Sequence, residues 1–549
     1  MNPMKPLRHS ALAVAAASAA LCSPAHAFTF SFGDISGSLD STLTTGLGVR
    51  TRDPSCAIVT QGASGANAPA GCLSQLSYMG DQGDLNYAKG DPFTAYLKGN
   101  HELLVKLPED IKFMARGNWV RDFAAARTTG SQSYYSSLSP AGTVGSDGLT
   151  EEARRDMKFK ARLLDLWVSK SFNLGGQQAR LRVGNQVLNW GESLFIGGGI
   201  NSTNAVDLLR LAQPGTQLKE ALLPAPMVSF STGLGHGLNL ETYVQTRWNG
   251  NYYWPTGSYW SLLNGLGRGH DAYGYSVTNP RKTGQWGAAL KYQPEGTSLN
   301  LGLYAMNYHD KATQYSYNTG GWVFPEDRKL YGISANFPLG DWAIGTELSY
   351  RPKDAVALNS LLGCTSQGGN CWVDEKRFQW HGTGLLSLTP SNARGLLEAL
   401  GADTGTLLAE AVVISYPSMK QQYGGDLVSA GGWFWGNEYD PTAAPQAVGS
   451  KTSGGYNFDF SLTYDSSILP GWQVVPEIYF FHAVKGRTPN TTATFMHGAK
   501  SVNLIVSFIQ NPANWQFGLN YAKFWGGSRA FDQPYRDRDF IGAYLSRNF

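Results

Sequence analysis

The chain predicts an all-β fold: a transmembrane, up-and-down antiparallel β-barrel of about 18 strands with long extracellular loops, one of them folded into the lumen. Three observations carry that prediction. Segments of about ten residues alternate apolar and polar side chains, short turns and long loops alternate between them, and the chain opens on an export signal.

The export signal comes first. Residues 1–27 hold a basic start (Lys5, Arg8), an Ala/Leu/Val stretch and the small-x-small site Ala25-His26-Ala27. Cys22 follows Leu21 rather than a small residue, so it is not read as a lipoprotein acceptor. Residues 1–27 are expected to be a cleaved signal peptide and 28–549 a single barrel domain. Four cysteines remain, Cys56 with Cys72 and Cys364 with Cys371. In an exported chain two close pairs favour two local disulfides over zinc, since no pair has two-residue ligand spacing and no His cluster accompanies them.

Composition narrows the class further. With 15% charged residues and a formal net charge of +3, the chain has no electrostatic footprint for nucleic acid. After the signal no window approaches about 18 consecutive apolar residues, so no transmembrane helix is expected. The 65 glycines and abundant aromatics suit strands and turns.

Alternation is clearest from Tyr456 to Tyr464, where Tyr456, Phe458, Phe460, Leu462 and Tyr464 share one face and Asn457, Asp459, Ser461 and Thr463 the other. Wall strands are predicted, in order, over 36–52, 92–107, 111–123, 160–173, 178–190, 227–234, 238–248, 284–293 and 298–308. They continue over 328–338, 342–351, 376–388, 405–416, 455–465, 472–482, 500–509, 514–524 and 539–549. The count is eighteen, or sixteen if 36–52 and 405–416 stay outside the wall. Short links such as Leu174-Gly175-Gly176 and Gly235-His236-Gly237 read as periplasmic turns, and 392–400 as a short periplasmic helix. Long Gly/Ser/Asn-rich links read as extracellular loops, and both cysteine pairs fall in them. Alternation begins within a few residues of Ala27, leaving no room for the plug domain of energy-coupled receptors. The last segment ends in Phe549 with Leu545, Ala543 and Ile541 on its apolar row and Arg547 as a break. It reads as the strand recognised by barrel assembly machinery.

The stretch from Gln178 to Met227 stands apart. It leaves its strand at Asn189-Trp190 and runs some thirty residues through Gly, Asn and Pro before alternation resumes. A loop that long inside a compact domain carries function, and its Leu208-Leu209-Arg210-Leu211 piece favours folding back into the pore. Candidate channel or constriction residues are Arg180, Arg182, Asn185, Gln186, Trp190, Glu192, Asn201, Asn204, Asp207, Lys219 and Glu220.

The polar strand faces carry both signs: Lys98, Glu102 and Lys106, then Lys112, Arg116 and Asp122, then Glu241 and Arg247, then Glu347 and Arg351. They read either as cross-strand ion pairs or as a selective polar ring. Two aromatic clusters, 252–260 and 433–439, read either as interfacial girdle or as an exposed ligand-capturing patch. No GxSxG, HExxH or P-loop motif occurs, so no enzyme, cofactor or metal site is expected.

Several stretches resemble a large family of uncharacterised proteobacterial outer-membrane proteins, catalogued as a domain of unknown function. They are GDLNYAKGD (83–91), GNQVLNWGESLFIGGGINSTNAVDL (184–208), PGTQLKEALLPAPM (214–227), PEDRKLYGISANFPLGDWAIGTELSYRP (325–352), HAVKGRTPN…FMHGAKSVNL (482–504) and DRDF (537–540). The likeness spans nearly the whole chain after the signal, departing at Arg547 and at Ala483, where the family often has an acidic residue. It implies a single barrel in the outer membrane among its lipids. Its genetic setting implies a periplasmic lipoprotein-localisation-like partner and an RND-type inner-membrane transporter. The expected function is a channel for small hydrophobic or amphipathic compounds gated by 191–226. A plugged structural or assembly barrel and a barrel hydrolase stand as alternatives.

Overall fold

In the computed structural model, which describes residues 28–55, 82–128, 149–263, 265–359, 363–430 and 447–549, eighteen antiparallel strands close into one barrel. They are β1 (Ile35–Arg50), β2 (Pro92–Leu107), β3 (Ile111–Asp122), β4 (Phe159–Leu174), β5 (Gln177–Gln186), β6 (Ala225–Gly235), β7 (Leu238–Gln245), β8 (Gln285–Tyr292) and β9 (Asn300–Tyr308). The ring continues through β10 (Arg328–Leu339), β11 (Trp342–Ala357), β12 (Trp372–Leu388), β13 (Thr404–Ser415), β14 (Thr452–Leu469), β15 (Trp472–Lys485), β16 (Ala499–Gln510), β17 (Trp515–Gly526) and β18 (Phe540–Asn548). Each strand pairs with its chain neighbours, and β1 closes the ring on β18 from Thr42↔Asn548 to Arg50↔Phe540. All eighteen expected strands are present, including 36–52 and 405–416.

The wall is inverted relative to a soluble protein. On β10, Tyr331 and Ile333 are 47% and 52% exposed on the outer face, while Arg328 and Ser334, at alternate positions, are 4% and 8% exposed on the inner one. An apolar outside and a polar inside is what period-two alternation produces when the outer solvent is hydrocarbon. The short turns gather at one end. Gly175 and Gly176, with φ of 59° and 83°, join Leu174 to Gln177 in a two-residue turn whose left-handed positions suit glycine.

Three boundaries differ from expectation. β5 stops at Gln186 rather than 190, because Asn204 takes over the backbone of Leu188. β11 and β12 run past Pro352 as a hairpin up to Ala357↔Trp372; a bulge between Arg351 and Asp354 absorbs the proline that read as a strand end. An unforeseen strand, Phe28–Phe32, pairs with Ile35–Leu39 and occupies the edge of β1 that β18 leaves free.

At the short-turn end the helix Arg394–Leu400 lays Leu397 against Leu388 and Leu462. At the opposite end the long loops share their own core, which includes Trp322, Tyr416, Phe495 and the disulfide-bonded Cys364 and Cys371. The first aromatic cluster is neither girdle nor open patch. Tyr259 stacks on Phe93 with ring centroids 4.0 Å apart, Trp260 meets Phe540 edge-on, and both are buried. The loop aromatics are thus buried against the first residues of wall strands β2 and β18. Residues 1–27, Cys56, Cys72 and the cluster at 433–439 lie outside the described residues.

Candidate functional site

The chain between β5 and β6 crosses the lumen and rests on the inner face of the far wall. There β11, β12 and β13 present Glu347, Arg351, Gln379, His381 and Glu410, all 1% exposed or less. Glu347 accepts the backbone N–H groups of Glu192 (2.6 Å) and Ile200 (2.8 Å). Glu410 accepts those of Phe195 (2.7 Å), Ile196 (2.9 Å) and Leu194 (3.3 Å). Two buried carboxylates thus hold five loop amides. A buried carboxylate is tolerable only when its lone pairs are satisfied in this way.

Carbonyls of the same loop are held from the wall by donors. Arg351 Nη2 donates to Gly198 O (2.6 Å), Gly199 O (3.0 Å) and Ser202 Oγ (2.8 Å). Gln379 Nε2 donates to Gly197 O (3.1 Å) and lies 2.6 Å from His381 Nε2. His381 Nδ1 lies 2.7 Å from Glu410 Oε1, and with Gln379 Nε2 donating to its other ring nitrogen, Nδ1 is the donor of this pair. The glycine run explains itself here. A Cβ on Gly199 would stand 1.9 Å from Glu347 Oε1, and one on Gly191, where φ is 85°, would stand 2.2 Å from Glu347 Oε2.

The second half of the loop seats on the opposite side. Lys98 on β2 pairs with Glu220 (2.8 Å) and donates to Gly215 O (3.0 Å), and the Tyr96 hydroxyl donates to Pro214 O. Asp207 caps the one-turn helix Leu208–Leu211 through the Arg210 amide and pairs with Arg162 of β4 at 2.8 Å. Glu220 and Gln217 form a reciprocal capping box on Leu218–Ala221. Lys219 is half-exposed and 3.9 Å from Glu102.

The remaining candidate residues divide by role. Trp190 donates its indole N–H to Glu241 Oε2 (2.8 Å) and packs between Tyr243 and Tyr304. Glu192 offers its carboxylate to Asn336 (3.2 Å) and Ser334 (3.5 Å). Asn201 and Asn204 bond to each other and shape the loop's first turn. Asn185 donates to Leu164 O, and Gln186 bridges Met227 O and Ser229 Oγ, so both bind the wall together. Arg182 stacks over Trp167 at 4.1 Å, and Arg180 lies exposed near the short-turn end. The wall partners Gln379, His381 and Glu410 escaped sequence reading; the signal was the polar alternation Arg377, Gln379, His381, Thr383 inside 376–388. Of the polar faces, Arg116–Asp165 and Lys291–Glu241 pair within the wall, as the cross-strand reading expected, while the buried Lys98 pairs with the loop. Among the described residues no group of His, Cys, Asp and Glu has a metal-holding arrangement.

Fold and site together define a closed 18-stranded barrel whose lumen is crossed by a hydrogen-bonded inner loop. Residues 8–549 match the family described as "Protein of unknown function (DUF1302)", and the chain belongs to it. No curated protein matches. Among solved structures it is similar to the crystal structure of Acinetobacter baumannii OccAB1, at 11% identity over 96% of this chain and 98% of that one, with a TM-score of 0.44. It is also similar to that of Pseudomonas aeruginosa OpdK with vanillate, at 11% identity over 93% and 98%, with a TM-score of 0.40.

Proposed function

We propose that the protein is an outer-membrane channel for small hydrophobic or amphipathic compounds, gated by the inner loop. The observation that carries this reading is how the loop is held. Every contact named between the inner loop and the wall is a hydrogen bond, an ion pair or packing, so the loop can leave without the wall opening. The apolar outer face supports placement in a bilayer, and the carboxylates and amides inside favour the amphipathic half of the solute class. A wholly apolar solute would strip water from those groups without replacing it. Glu192, on the loop, and Arg180 and Arg182, on the wall, are the side chains proposed to meet the solute, with the buried Trp190 as packing behind them. The periplasmic lipoprotein-like and RND-type partners belong to the same proposal, as does recognition of β18 by assembly machinery.

Deleting 195–222 should leave a folded, heat-modifiable barrel with a raised conductance in planar bilayers and altered solute uptake. An unchanged conductance and uptake would refute gating. The second reading, a plugged structural barrel, is favoured by the shared core of the loops at the far end. It predicts no conductance in either form.

A further inference from the structure

A cavity of about 410 Å³ lies between the inner loop and the wall strands β5 to β10, within the range of small-molecule sites. The loop contributes Asn189 and Glu192 to it, and the wall contributes Glu241, Lys291, Tyr304 and Ser334. Its charges are unequally satisfied. Lys291 Nζ sits 2.9 Å from Glu241 Oε1, and the other oxygen of Glu241 takes the Trp190 indole N–H at 2.8 Å. Among the described residues Glu192 accepts from the neutral donors Asn336 and Ser334 and has no cation within 4 Å. Two carboxyl groups line the cavity against one ammonium, and burial, with Glu347 nearby, pushes the Glu192 carboxyl above its ordinary range. The Tyr304 hydroxyl, 3.2 Å from Ser334 Oγ, sets an aromatic ring on the same side as that carboxylate.

We propose that this cavity binds the cationic head of a small amphipathic amine, with the ammonium on Glu192 and the apolar part along the Tyr304 ring. A partly desolvated carboxylate lacking a counter-charge gains most from a ligand that brings one. A neutral analogue forfeits that pairing, and an anionic one meets a like charge. Because Glu192 rides on the loop while Glu241 and Lys291 belong to the wall, the bound amine bridges the two. This rests on the channel reading for the solute's route alone, since equilibrium binding does not require conduction.

Calorimetric titration of the purified, detergent-solubilised full barrel with tyramine, 4-ethylphenol and 4-hydroxyphenylacetate holds the ring constant while the head changes from cation to neutral to anion. Tyramine should bind at least tenfold more tightly than either analogue. Glu192→Gln should lose about tenfold for tyramine alone, and Asp459→Asn, a lumenal acid outside the cavity, should leave it unchanged. Equal binding of all three on the wild type, tighter binding of the acid, or an unaltered Glu192→Gln would overturn the proposal. If Glu192→Gln fails to fold, the three ligands on the wild type still decide. Tyramine binding by a barrel that conducts nothing would sink the channel and keep the site; conduction without tyramine preference would do the reverse.

Discussion

The Glu410 carboxylate and the His381 imidazole, 2.7 Å apart on adjacent strands, lock each other while Glu410 holds three consecutive loop amides. His381 leaves the carboxylate one orientation, and that orientation aims its free lone pairs at Leu194, Phe195 and Ile196. Glu410→Gln keeps the size but replaces one accepting oxygen by a donor, which then points at the amides it should receive. Hydrogen bonds to a charged group contribute roughly 1.5–3 kcal/mol each. Loss of even one should loosen the loop by a comparable amount. The expected outcome is a higher mean single-channel conductance or frequent opening steps in planar bilayers, with barrel migration unchanged. A wild-type trace from Glu410→Gln would show that the loop is held elsewhere.

The three glycines at 197–199 supply an internal control. A Cβ at Gly197 meets nothing within 4 Å, whereas one at Gly199 falls 1.9 Å from Glu347 Oε1 and 2.9 Å from His381 Nε2. Neither position has a φ that excludes alanine, so space alone separates them. Gly199→Ala should undock 191–200 and expose it to protease added from either side of reconstituted vesicles. Gly197→Ala should resist as the wild type does. If both variants are cut alike, the close approach to Glu347 is not what seats the loop.

How much of this was legible beforehand follows from the physics of each signal. The wall was legible because lipid outside and water inside force strict alternation, so Ile333 and Ser334 announce their faces by composition alone. Asp207 was read as a channel candidate, and its part as the buried cap of Leu208–Leu211 was not foreseen, although Asp before a short apolar run is the local signal for it. The far-wall partners were not. Nothing local to Glu410 or Gln379 says that a loop more than 180 residues earlier in the chain will lie against them. The same limit hid the fate of Tyr259, whose burial depends on Phe93 at the start of β2, more than 160 residues earlier in the chain.

The Cys364–Cys371 disulfide closes a short ring inside the buried loop core. For so small a ring the chain-entropy model gives roughly 2–3 kcal/mol. That is enough to order one loop and too little to govern an eighteen-strand wall. The double variant Cys364→Ser/Cys371→Ser should keep the heat-modifiable barrel and raise hydrogen exchange only near 363–372 and its packing partners such as Tyr315. Loss of the folded barrel would instead make the bridge a requirement for assembly.

Asp310 places a pH dependence in the loop between β9 and β10. Burial pushes its carboxyl up to about 7, against the pull of Arg328 at 3.5 Å. In the folded loop it keeps its proton to near neutrality, whereas in the opened loop it ionises around the ordinary aspartate value. A raised folded value means that the stabilisation is complete in acid. It declines as pH climbs from about 4 to 7 and changes no further above that. Protease cleavage within 310–327 should therefore become faster from pH 5 to pH 7 in the wild type. Asp310→Asn cannot ionise, so its cleavage rate, corrected for the protease's own pH profile, should stay flat over that interval. A variant that follows the wild-type rise would place the titrating group elsewhere, and not on the neighbouring Lys311, whose value, drawn down to about 7 by burial, makes the folded loop more stable as pH climbs above 7.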